Sequence, residues 1–142
     1  MKIVGGKSMT KREQEKQAWL RKVVGPDVEN IYIIPDFKPN GAGPAWLPQW
    51  IKDFIEAQGK PIEWEATFDY HDYQYTVGGT EVDRLVADRR MLRLLLTDAP
   101  KFSFWPDDMW RWWRWRRAAK ACYWIVRELG ASEFSYKPEA MP

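Results

Sequence analysis

This chain of 142 residues predicts an all-α protein, and three features carry that expectation. Thr10 and Glu13 form a T-x-x-E capping box, and Thr80 with Asp83 forms an N-cap with an acidic third residue; both patterns satisfy the free backbone donors at a helix start. Gly78-Gly79 separates two helical runs, 62–77 and 80–97, by a break that favours an antiparallel hairpin. Residues 109–129 form one long run with helical periodicity, stopped by Gly130.

The elements follow in chain order. Residues 1–9 read as an arm. The helix opened by Thr10 runs to about Val24 and ends at Gly25-Pro26. Its apolar content (Ala18, Trp19, Leu20, Val23, Val24) is thin, so it is expected to pack by one end or to dock on a partner. Asn30 to Ile34 (NIYII) is a short β-type run that fits an edge strand, halted by Pro35. The Pro- and Gly-dense stretch PDFKPNGAGPAWLP is an irregular loop, and residues 46–58 form a helix closed by Gly59. Pro61 opens the 62–77 helix, on which Trp64, Phe68, His71 and Tyr75 share a face. In the next helix Leu85, Leu92 and Leu95 repeat at seam positions, and Asp88 takes the one that remains. Pro106-Asp107-Asp108 starts the last helix, and the tail to Pro142 is polar and reads as extended. One domain spans 1–142: an N-terminal arm and helix (1–25), a core (35–130) and a tail (131–142).

With 45% apolar and 30% charged residues the composition is that of a globular chain. The net charge of +2 is too small to argue for nucleic acid by itself. A single cysteine, Cys122, excludes an internal disulfide framework and any cysteine-based zinc site. The N-terminal segment lacks the apolar stretch of a secretory signal, and no run reaches the roughly 20 apolar residues of a membrane span.

Tryptophan is the compositional outlier, with 10 residues. On a helical wheel of the last helix, Trp112, Trp115, Ala118, Ala119, Cys122, Tyr123, Val126 and Leu129 form a core face. The opposite arc interleaves Trp110, Trp113 and Trp124 with Arg116, Arg117, Lys120 and Arg127. Such an arc fits cation–π pairs on an ordinary surface, a protein partner or an anionic lipid surface. Nucleic acid ranks below these.

His71 is the lone histidine, and it opens the segment HDYQY. It lies about seven residues before the hairpin turn and Asp88 about eight after it, so at about 1.5 Å rise per residue the two sit at nearly equal heights. A buried carboxylate needs a partner, and His71 is positioned to be one. A histidine oriented by a carboxylate can act as a general base on water. Equally, a His–Asp pair can be a satisfied polar contact that holds two helices in register. Asp72 points about 100° away around the helix, and if it faces the NGAG loop, backbone carbonyls there would join it around a hard cation such as Ca2+.

HDYQY resembles the HDxxY active-site helix of phospholipases A2, and DRLVADRRML resembles the helix that supplies the second aspartate in compact viral and phage versions. The stretches PDFKPNGAGP, HDYQY, VADRRML and YWIVRELG occur in the order found in a phage phospholipase A2-like family, over about residues 35–130. The resemblance implies His71 as base, Asp88 as its partner, Tyr75 as a supporting hydroxyl, and a Ca2+ ion held by Asp72 with carbonyls of Asn40, Gly41 or Gly43. It departs from the family pattern in the loop, where Asn40 stands in place of Asp and Gly43 in place of Ser, and in a shorter His-to-Asp spacing. Two functions follow as expectations. One is a bacteriophage virion or assembly component with vestigial or weak activity, bound to other phage or host proteins. The other is a Ca2+-dependent phospholipid hydrolase. Either would be made in the host cytoplasm, and the first could end in the virion.

Overall fold

A computed structural model describes residues 8–39 and 47–137. Its helices are α1 (Lys11–Val23), α2 (Gln49–Ala57), α3 (Ile62–Val77), α4 (Glu81–Thr97) and α5 (Pro106–Leu129), with 3-10 turns at Ile31–Ile33 and Gly130–Glu133. The fold is all-α, with the long C-terminal helix. Thr10 caps α1 and Thr80 caps α4, each in a complete reciprocal capping box. Helix α2 starts three residues later than its sequence pattern suggests: Pro48 occupies the N-cap, with Gln49 the first helical residue.

Helix α3 is the centre of the molecule. Its packing partners are α1 on one side and α4 on the other, and α4 in turn packs on α5. Trp64 and Phe68 of α3 join Ile51, Phe54, Met91, Leu95, Trp115, Ala118, Ala119 and Cys122 in the main core. On the opposite side of α3, Ala66 and Tyr70 meet Trp19, Leu20, Ile31 and Tyr32. Alanines 118 and 119 let α5 approach closely, and the Trp115 indole N–H donates 2.8 Å to the Leu95 carbonyl.

Four expectations are corrected. The seam of α4 is Arg84, Ala87, Asp88, Met91, Leu94 and Leu95, while Leu85 and Leu92 are half-buried flanks; a helix wedged between two others buries a wider stripe than one repeat defines. Residues 31–33 form a 3-10 turn instead of an edge strand, because the Asn30 side chain accepts the Tyr32 N–H at 3.3 Å and Tyr32 is buried to reach α3. Helix α1 is an integral part of the core, docked through buried Lys16, Gln17, Trp19 and Leu20. On α5, Trp112 and Tyr123 are only half-buried and Leu129 is exposed, since the core face narrows to Trp115, Ala118, Ala119, Cys122 and Val126.

Trp64 is packed edge-on by Phe68 and Trp115, with ring centroids at 6.1 and 5.5 Å, yet its buried indole N–H has no hydrogen-bond partner among the described residues. An orphaned buried donor is costly, which offsets part of what the large ring contributes. Trp64→Phe is therefore expected to cost no more than about 1.5 kcal/mol, against about 3–5 kcal/mol for Trp64→Ala, as read by urea denaturation.

Candidate functional site

The three interior elements converge on Asp88, which is 0% exposed. Its Oδ1 lies 2.8 Å from His71 Nε2 and accepts the Tyr75 hydroxyl at 2.6 Å. Its Oδ2 accepts from the Arg127 guanidinium at 2.6 Å and lies 3.7 Å from that of Arg84. The geometry arises locally. His71 and Tyr75 are one turn apart on α3, with ring centroids 4.3 Å apart. Glu81, Arg84 and Asp88 project from one face of α4.

Glu81 closes the other end of the cluster. It accepts two 2.9 Å bonds from Arg84, one of 2.7 Å from Arg127 and one of 2.5 Å from the Tyr136 hydroxyl. Those three donors hold its carboxyl down at about 2. Burial alone would raise the Asp88 carboxyl, but hydrogen bonds from His71, Tyr75 and Arg127 outweigh it and hold the group below the usual carboxylate range. Tyr75 is pushed well above the ordinary phenol value by burial and by its bond to Asp88. Arg84 also donates 3.2 Å to the Val126 carbonyl, a cation at the C-terminal turn of α5 where the helix dipole favours it.

The tail is part of this site. Residues 130–133 form a 3-10 turn, Phe134 is buried, and its ring stands edge-on to Tyr75 at 5.1 Å. The following backbone runs along the hairpin turn: Ser135 N–H donates to Tyr75 O at 3.1 Å, Gly79 N–H to Ser135 O at 3.1 Å, and Lys137 N–H to Gly79 O at 2.9 Å. The extended polar tail read from sequence is thus, through residue 137, a strap over the hairpin. Gly130 has no side chain because a Cβ there would sit 2.7 Å from the Tyr75 hydroxyl.

The structure brings His71, Tyr75 and Asp88 together and places Asp72 elsewhere, on the exposed side of α3. Partial desolvation, with Asp69 and Glu133 adding to it, raises the Asp72 carboxyl above its ordinary value. Asn40, Gly41 and Gly43 lie outside the described residues. Ca2+ takes six to eight oxygen ligands, and among the described residues no group of three or more His, Cys, Asp or Glu could hold a metal.

Of the expected surface residues, Trp110, Trp113 and Trp124 are exposed, as are Arg117 and Lys120, and Arg116 is half-buried. Arg127 is the correction. It sits at the edge of the cationic arc, and its long side chain turns inward to Asp88 and Glu81. Arg84, Glu81 and Tyr136 were not anticipated; the Glu81–Arg84–Asp88 spacing on one helix face was the available signal.

A second buried charge cluster docks α1. Lys16 Nζ lies 3.2 Å from Asp69 Oδ2 and 3.1 Å from Glu65, and Tyr32 donates to Asp69 at 2.7 Å. Arg12 also pairs with Glu65. Against this geometry, comparison of the chain with protein-family models, curated proteins and solved structures gives no match.

Proposed function

We propose that this chain is a bacteriophage virion or assembly component built on a phospholipase A2-like helical core, in which the His71–Asp88 pair locks helices together. One observation supports this reading above the others: the cluster is charge-balanced without His71. Asp88 and Glu81 face Arg84 and Arg127 in a closed set of ion pairs. A general base needs its orienting carboxylate to stabilise the imidazolium formed as the proton arrives. Here Arg127 and the Tyr75 hydroxyl already draw on that carboxylate, so Asp88 has less to offer. A buried network in which both oxygens of the central carboxylate are partnered serves to specify packing.

A second reading, the Ca2+-dependent phospholipid hydrolase, is favoured by one detail. His71 turns Nε2 to Asp88, and its other nitrogen has no partner among the described residues, which leaves it able to accept a proton from water. The two readings separate in one set of measurements. The assembly reading expects no fatty-acid release from phosphatidylglycerol or phosphatidylcholine vesicles with Ca2+, and expects the tagged chain in purified virions or assembly intermediates. Release that both EDTA and His71→Gln abolish would establish the hydrolase instead. Absence of the chain from particles and intermediates alike would remove the assembly role.

A further inference from the structure

The outer face of α5 carries a line of exposed side chains unrelated to the Asp88 cluster. Trp110, Trp113, Arg117, Lys120 and Trp124 fall within a narrow arc of the helical wheel, opposite buried Trp115, Ala119 and Cys122. At about 1.5 Å per residue this line is about 21 Å long. At its N-terminal end the loop before the helix projects two aromatic side chains, Phe104 at 86% exposure and Trp105 at 75%. The first turns of the helix and Phe102 line an open apolar depression of about 540 Å³, with Met109, Trp110, Trp112 and Trp113 in its walls.

Charge along this face is mainly positive. Arg114, Arg117 and Lys120 lie on or beside the line, with exposed Asp107 in the first turn and exposed Glu128 past its C-terminal end. Asp53, which lines the neighbouring cleft, accepts from Gln49 at 2.9 Å. The guanidinium groups lie on the indoles: Arg117 is 5.1 Å from the ring centres of both Trp50 and Trp113, Arg116 is 5.1 Å from Trp112, and Arg114 is 5.9 Å from Trp110. A stacked guanidinium keeps its in-plane N–H donors free for phosphate oxygens. It also occupies ring faces on which a nucleobase would stack, which disfavours single-stranded nucleic acid. The net positive charge of the line disfavours a second copy of the same face.

We infer that this face is a membrane-contact surface for anionic phospholipid headgroups, with Phe104 and Trp105 entering the interface and the cation–indole line lying along it. A line of amphipathic rings and cations along one face of a helix suits a membrane surface, and Trp is suited to the depth where one end is apolar and the other wet. No helix among the described residues is long and apolar enough to cross a membrane, so the contact is peripheral. The inference is independent of any chemistry at His71.

Vesicle co-sedimentation tests it, using the full chain with phosphatidylglycerol-containing and pure phosphatidylcholine vesicles at low and high salt. Binding is expected to the anionic vesicles, to weaken with salt, and to fall about tenfold or more in Phe104→Ser/Trp105→Ser and in Arg114→Gln/Arg117→Gln. Val82→Ser, which removes an exposed apolar side chain on α4, should bind like the parent, as should His71→Gln. Circular dichroism melts establish that each variant is folded. Absence of binding to anionic vesicles overturns the inference, as does binding that neither double variant weakens. Binding of a single-stranded oligonucleotide in place of vesicles would assign the face to nucleic acid. Dimerisation abolished by the same variants, without vesicle binding, would assign it to a second copy.

Discussion

Asp88→Ala is expected to be the most damaging polar substitution in the protein, at about 3–5 kcal/mol. Removing the carboxylate leaves Arg127 and Arg84 without their buried counter-charge and Tyr75 and His71 without an acceptor. Urea unfolding followed by circular dichroism gives the number. Asp88→Asn should recover little, since an amide keeps the shape but not the charge. Asp88→Leu combined with Arg127→Met should cost less than the two single substitutions added together, because the pair then leaves no orphaned charge. A loss under about 1 kcal/mol for Asp88→Ala would mean that water replaces the cluster readily. The pH dependence has a definite sign. Asp88 and Glu81 both have carboxyl groups held below their unfolded values, Glu81 at about 2. Their contribution is present above the unfolded carboxylate range of about 4 and is lost as pH falls from there through the folded values. Parent stability should therefore drop between about pH 4 and pH 2, and the drop should be shallower in Asp88→Asn.

Gly78→Ala is expected to cost about 3 kcal/mol or more, from two separable sources. Gly78 has φ 73° and ψ −156°, a region essentially reserved for glycine. A Cβ there would also lie 1.8 Å from the Ser135 carbonyl oxygen, so the strap would have to leave the turn. Deleting residues 134–142 takes away the obstruction and leaves only the backbone strain. The substitution should thus cost less in the truncated chain than in the full one, by urea titration of all four proteins. Equal costs in both would show that the strap yields without loss.

Much of the hairpin was legible because its signals are local. The Thr80 cap, the Gly78-Gly79 break and the three- and four-residue steps through Trp64, Phe68, His71 and Tyr75 each act within a few residues. Together they set the heights of His71 and Asp88. Arg127 was not legible in the same way. Its Cα lies at the border between the core face and the cationic arc of α5, and a long side chain from such a border can go either way. The neighbour that draws it inward is 39 residues away. NIYII misled for a related reason: β-branched residues favour strands only where there is a sheet to join, and Tyr32 instead found Asp69 on α3. The strap was hidden because composition describes Ser135 to Lys137 as polar, whereas their backbone groups are spoken for by a turn more than fifty residues earlier. Helix α1 looked weakly apolar because part of what it buries is charge, Lys16 against Asp69.

The 39-residue separation of Asp88 and Arg127 also has a meaning in time. At a synthesis rate of roughly 5–20 residues per second, Arg127 is made about 2–8 s after Asp88. Until then α3 and α4 can pair only around a carboxylate that lacks its strongest counter-charge. Closing that pair dry would be opposed by the desolvation of Asp88. The arrival of α5 lifts the opposition and at the same step supplies Trp115, Ala118 and Ala119 to the core. Sealing of the central hairpin around Asp88 is thus expected to come with the docking of α5, not before it.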